Sequence, residues 1–196
     1  MHPNRAFAWD DEAEVRAFVA GTAFAHLFAA TSEGPMVAHV PLLPTAGGFA
    51  FHLARANRAF PHLHGARVLA SVAGPDAYVS PDWYARPADQ VPTWNYVAAE
   101  VEGVARRLPD AALPAHLHEL SAAHEARLAP KRPWTPAKVA PDRMAAMLRA
   151  IALFELEPSA LRATRKLSQN KSAADRAGVA AALAPTAPAM AALLRS

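Results

Sequence analysis

Apolar positions come in short runs over much of the chain. Residues 24–30, 36–43 and 49–53 have strand length and are parted by Ser32-Glu33-Gly34-Pro35 and by Gly47-Gly48, which form turns. This pattern predicts an antiparallel meander. Residues 67–73 predict a further strand, closed by Gly74-Pro75, and residues 77–84 a short aromatic one before a loop over 86–92. A long strand is expected over 94–108. Tyr96, Ala98 and Glu100 share one of its faces, with Val97, Val101 and Val104 opposite after a shift near Gly103. Residues 151–157 and 161–167 predict two more strands. Helical spacing marks 10–20, where Asp10, Asp11, Glu12 and Glu14 crowd the first turn ahead of Val15, Phe18 and Val19. A short helix is expected within 57–64. Another follows Asp110 as its cap, with Leu113, Leu117, Leu120, His124 and Leu128 as its apolar stripe. The proline-rich stretch 130–141 reads as a connector, and helices are expected at 142–149, 175–183 and 187–194. Seven or eight strands, mostly sequential neighbours, with helices between and at the ends, predict a small closed or half-open antiparallel barrel with peripheral helices. A doubly wound sheet is not expected.

Composition narrows the possible functions. The chain has 196 residues, 53% of them hydrophobic, and no cysteine, so it sustains a core without disulfides or thiolate-bound zinc. Cysteine nucleophiles, CxxC redox pairs and iron–sulfur ligation are removed as well. With no apolar run of membrane length and no signal-like start, a cytoplasmic protein is expected, with no membrane partner. The net charge of +3 is small. Its surplus gathers between Arg162 and Arg176, where Arg165, Lys166 and Lys171 face the single acid Asp175; this run is the local candidate for a DNA contact.

Familiar catalytic spacings are missing. No GxGxxG, GxxxxGK[ST] or GxSxG occurs, and His124-Glu125 lacks a second histidine four residues on. The pairs His62/His64 and His116/His118 are two apart, unlike a helical metal site, and no metal is expected. No catalytic residue is assigned. Three segments are chemically dense. His52, Arg55, Asn57 and Arg58 follow a strand and offer the convergent donors that a phosphate requires; solvated charges at a strand end give the same pattern. Residues 74–84 with 91–96 gather two tryptophans and all three tyrosines among Ser, Thr, Asn and Asp, which suits a planar ring or an aromatic core. Lys166, Ser168, Gln169 and Asn170 form a polar, basic stretch directly after an apolar strand.

Together these segments resemble the PaiB-type family, the FMN-binding negative transcriptional regulators. The resemblance is carried by Ala38-His39-Val40-Pro41-Leu42-Leu43, His52-Leu53-Ala54-Arg55-Ala56-Asn57, residues 74–84, Val91-Pro92-Thr93-Trp94-Asn95-Tyr96 and Lys166-Leu167-Ser168-Gln169-Asn170, in family order from Phe7 to Leu183. It implies a mainly β fold with peripheral helices, an antiparallel split β-barrel of the FMN-binding type related in shape to pyridoxamine phosphate oxidases. That domain would span 1–183, with a helical insertion at about 110–149 and a helical tail at 184–196. The resemblance also implies a homodimer with FMN in clefts between subunits. His52, Arg55, Asn57 and Arg58 would hold the phosphate, and Thr93, Trp94 and Asn95 would lie by the isoalloxazine. Lys166, Ser168, Gln169 and Asn170 would lie near flavin and substrate, and His39 belongs to the same cofactor set. The chain departs from the family pattern at Arg58, where proline is usual, and at Arg165, where tryptophan is usual. Two functions are compatible with this reading: an FMN-binding transcriptional regulator, and an FMN-dependent oxidoreductase on the same scaffold.

Overall fold

A computed structural model of the chain describes residues 1–195. Its strands are β1 (Phe24–Thr31), β2 (Gly34–Pro41), β3 (Leu43–Pro44), β4 (Phe49–Ala54), β5 (Arg67–Val79), β6 (Thr93–Arg107) and β7 (Ile151–Lys166). They form one sheet in the order β2-β1-β5-β6-β7-β4-β3. The helices are α1 (Glu12–Thr22), α2 (Phe60–Leu63), α3 (Leu113–Ala126), α4 (Pro141–Arg149), α5 (Ala173–Leu183) and α6 (Pro188–Arg195). The chain divides into two compact units. The first holds Met1–Thr22, Ser71–Glu100 and the chain from Leu161 onward; the second holds Ala23–Ala70 and Val101–Ala160.

In the second unit β1 and β2 form an antiparallel hairpin that pairs His26 with His39 and Leu27 with Ala38. Alternation sends Ala25, Leu27, Met36, Ala38 and Val40 inward, while Phe24, Phe28, Val37 and His39 point out. The expected meander of three strands does not form. β4 pairs antiparallel with β3 and β7, at the other end of the sheet order. β2 and β3, the two edge strands, are separated by Leu42 alone, which is fully buried and donates its N–H to the Ala23 carbonyl at 3.0 Å. The sheet therefore curls until its edges lie one residue apart, with no ladder between them: a split barrel.

Two strand ends differ from expectation. β5 runs through Gly74-Pro75 to Val79. Gly74 serves close approach here, since a Cβ would stand 2.9 Å from the Phe18 ring and 3.2 Å from Val97 Cβ, both within the first unit. β7 is continuous through Pro158, which lies beyond the last β4 pair, Phe49 with Leu156, so its missing N–H costs no ladder bond on that side. β6 alternates without a shift at Gly103, which places Val104 on the half-buried face with Tyr96 and Glu100.

In the first unit α5 and α6 bury Val179, Ala180, Leu183, Met190 and Leu194 against Val79, Tyr84 and Val97. α5 starts from a capping box in which Ser172 and Asp175 satisfy each other's backbone N–H. On α3 the buried positions are Leu113, His116 and Leu120. The stripe is therefore rotated from the expected one, and Leu128 is exposed.

Candidate functional site

The first unit contains a cavity of about 330 Å³ built from the start of β6 and the turn that follows β7. The strand period of two puts Thr93 and Asn95 on the cavity side of β6 and turns Trp94 away from it. Trp94 is 54% exposed and packs edge-on against Tyr78, with ring centroids 6.1 Å apart. After β7 the backbone enters the left-handed region at Ser168 (φ 57°), an uncommon state for a residue bearing a Cβ. The Gln169 amide stabilises this turn: its oxygen accepts from Leu167 N–H at 2.8 Å and its nitrogen donates to the Arg165 carbonyl. Gln169 thus shapes the turn and does not line the cavity, whereas Lys166, Ser168 and Asn170 do.

The floor is a buried polar pair. Asn95 (0% exposed) and Ser168 (3%) are joined at 3.0 and 3.3 Å, which satisfies both in a place where an unpaired polar group would be costly. Above them the Lys166 ammonium donates to Thr93 Oγ1 at 2.6 Å and lies 5.7 Å from the Phe7 ring centre. Burial holds this ammonium below the usual lysine range. The N-terminal segment supplies another wall through His2, Asn4 and Phe7. It is tied down by His2 N–H to Thr164 Oγ1 at 3.2 Å and by Trp9 N–H to the Ala163 carbonyl at 3.2 Å. No local sequence signal marks this wall, because it is made by a bridge between Ala8 and Thr164.

The basic run of 162–176 is largely engaged inside this unit. Arg165 lies 4.3 Å over the Trp9 ring and 3.4 Å from Glu14, Lys166 and Lys171 line the cavity, and the carboxylate of Asp175 accepts Ala85 N–H at 2.8 Å.

The remaining candidates lie in the second unit. His52 on β4 meets His116 on α3, Nδ1 to Nε2, at 3.2 Å. Burial and the neighbouring His52 push His116 down to about 4, and burial lowers His52 as well, so the pair shares a single N–H as neutral imidazoles. His116 is 5% exposed, and its Nδ1 has no partner among the described residues. Arg55 reaches Asp110 at 2.8 Å, and Arg107 reaches the same carboxylate at 3.2 Å. Both guanidinium groups lie under 6 Å from the Phe60 ring centre. Hydrogen bonds from the two arginines hold the Asp110 carboxyl below the usual range. Asp110 is therefore not the cap of α3, whose N-cap is Ala112; it gathers two cations instead. Asn57 Oδ1 accepts Ala59 N–H at 2.9 Å, and exposed Arg58 reaches the Pro35 carbonyl at 3.4 Å. His39 stands outward on β2, its ring centre 4.9 Å from that of His26. Asp110, Arg107 and His116 carry no motif that links them to His52 and Arg55. Among the described residues, no group of three or more acids or histidines is arranged to hold a metal.

An open, curled antiparallel sheet with peripheral helices is the fold of flavin-binding split-barrel proteins. Two solved structures with this fold align with the chain. The FAD and heme binding protein from Mycobacterium smegmatis aligns with a TM-score of 0.60 at 15% identity, over 81% of this chain and 73% of that one. The flavocytochrome Anf3 from Azotobacter vinelandii aligns with a TM-score of 0.61 at 18% identity, over 84% and 72%. At these identities the likeness establishes the fold alone.

Sequence comparison identifies the family. The family described as "Putative FMN-binding domain" matches residues 1–160, and the chain belongs to it; its cofactor is FMN. The Protease synthase and sporulation protein PAI 2 of Bacillus subtilis (strain 168) is 33% identical over 108 residues, 55% of this chain and 50% of that protein. The chain spans about half the length of this relative, and the PaiB-type resemblance read from the motifs is borne out. No helix among the described residues is long and apolar enough to cross a membrane.

The donor set fits the cofactor. The polar edge of a flavin ring takes neutral hydrogen bonds and favours a nearby cation, which Thr93, Asn95, Ser168, Asn170 and Lys166 offer around one cavity.

Proposed function

We propose that this protein is an FMN-binding regulator that works as a homodimer in the cytoplasm, and that its ligand state rather than a DNA-reading helix carries the signal. The observation behind this reading is the convergence of Thr93, Asn95, Lys166, Ser168 and Asn170 on one cavity in a chain of the FMN-binding family. Lys166 and the neutral side chains contact and orient the ring. Trp94, exposed beside Tyr78, offers a stacking face, and Gln169 acts by shaping the turn. His52, Arg55, Asn57 and Arg58 supply the phosphate contacts, with Asp110 holding Arg55 in place, and His39 completes the set. FMN, when bound, supplies the electron chemistry; the chain supplies binding, orientation and charge. Phe24, Phe28 and Val37, exposed together on the outward face of the β1–β2 hairpin, support a subunit interface there. The name of the Bacillus relative, a protease synthase and sporulation protein, supports a role in control.

Direct DNA contact is a weaker reading, because the basic run is spent on Glu14, Trp9 and the cavity. A gel-shift titration over several salt concentrations is expected to show no complex near physiological salt. A complex whose affinity falls steeply with salt would overturn this. An FMN-dependent oxidoreductase is the second reading, favoured by the partly buried Lys166 ammonium, a charge placed to stabilise an electron-rich ring. Anaerobic addition of NADH or NADPH to the FMN-loaded protein separates the two. Unchanged flavin absorbance fits a regulator, and rapid bleaching establishes the oxidoreductase.

A further inference from the structure

The first-unit cavity carries more positive charge than the flavin contacts use. Lys171 lines it alongside Lys166 and has no assigned role. Its ammonium donates to Gln90 Oε1 and lies 4.7 Å from the Tyr84 ring centre. The two lysines are placed alike, each over a buried aromatic ring and each hydrogen-bonded to one neutral oxygen, Thr93 Oγ1 or Gln90 Oε1. An ammonium has three N–H donors, so both keep donors for a guest. Neither forms an ion pair with a carboxylate among the described residues. Of the nearby acids, Asp175 accepts from the Ser172 hydroxyl and Ala85 N–H and also feels the charge of Lys171, which helps hold its carboxyl below the usual range. Among the described residues Asp89 is the acid that lines the cavity. The site is built rather than incidental, because its floor is the buried Asn95–Ser168 pair.

We propose that this cavity binds a small organic carboxylate beside the flavin, with Lys171 as its principal cation and Lys166 shared with the ring. Two ammonium point charges, with the Asp89 carboxylate also lining the cavity, suit a singly charged carboxylate better than a dianionic phosphate. The proposal rests on the reading above, that Lys166 meets the flavin ring and that the FMN phosphate is held by residues other than these lysines.

The test is calorimetric titration of the FMN-loaded protein with benzoate, neutral benzamide and inorganic phosphate, with flavin retention followed by absorbance in the same samples. Benzoate is expected to bind with flavin retained, at least tenfold more tightly than benzamide or phosphate. Lys171→Gln is expected to weaken benzoate at least tenfold while FMN affinity stays within twofold. Equal binding of benzoate and benzamide, or benzoate affinity unchanged by Lys171→Gln, overturns the proposal. Release of flavin by both benzoate and phosphate also overturns it, by showing that the lysines hold the cofactor's own phosphate. A protein that retains no FMN on reconstitution fails the cofactor reading instead, and the benzoate titration of that same protein still reports on the lysines separately.

Discussion

Gly103→Ala is expected to remove about 4 kcal/mol or more of folding stability, a large share of the 5–15 kcal/mol typical of a domain. A Cβ at this position of β6 would stand 1.9 Å from the Glu157 carbonyl oxygen and 2.8 Å from its carbon. These are backbone atoms of β7, so no rotamer change relieves the clash and the two strands must part. Gly21→Ala is the matching control. It makes the same chemical change at the end of α1, where no heavy atom lies within 4 Å of the new Cβ, and is expected to be neutral or stabilising by up to about 1 kcal/mol. Urea unfolding followed by tryptophan fluorescence gives both values. A Gly103→Ala midpoint equal to that of the wild type would mean that β6 and β7 do not approach as described.

Acidification from pH 6.5 towards pH 4 is expected to cost roughly 2–3 kcal/mol through His116 alone. The unfolded imidazole takes its proton near 6.5, whereas the folded one resists until about 4. Between those values the unfolded chain binds more protons, so stability is full above the window and is lost as pH falls through it. His52, also lowered by burial, acts with the same sign. The carboxyls of Asp110, Glu125 and Asp175 are held below their usual range, so their contribution starts to be lost near the ordinary carboxylate range, at the acid end of this window, and continues below it. His116→Leu replaces the group whose Nδ1 is unpartnered with an apolar side chain among Leu113 and Leu120. The difference in urea midpoint between pH 7 and pH 4.5 is expected to shrink by half or more in this variant. An unchanged difference would place the acid sensitivity elsewhere.

The parts of the fold legible in the sequence are those set by local alternation. β1, β2 and β4 show their inward positions as apolar runs bounded by turn formers. The ends of β5 and β7 were hidden because Gly74-Pro75 and Pro158 read locally as breaks, while the structure uses them where a ring packs close or a ladder has ended. The sheet order was hidden as well, since curling about Leu42 sends consecutive strands to opposite edges. For the site, motifs resembling the PaiB type drew attention to Thr93, Asn95, Lys166, Ser168 and Asn170, and the structure gathers them although 73 residues separate Asn95 from Ser168. The wall from His2 to Phe7, the second lysine over Tyr84 and the Asp110 clamp on Arg55 depend on tertiary contacts with no spacing rule. Strand alternation turns Trp94 to the face opposite the cavity that Thr93 and Asn95 line, a placement the motif by itself does not reveal.

The most direct test of the central claim is flavin stoichiometry. The protein is reconstituted with FMN and freed of excess by gel filtration. Its visible spectrum is then recorded, and the material released by heat is identified by mass. The expected result is a flavin spectrum with about one FMN released per chain, falling at least tenfold in occupancy when Asn95→Leu breaks the buried pair under the cavity and thermal unfolding shows that variant still folded. A folded wild-type protein that leaves the column without flavin would contradict the account.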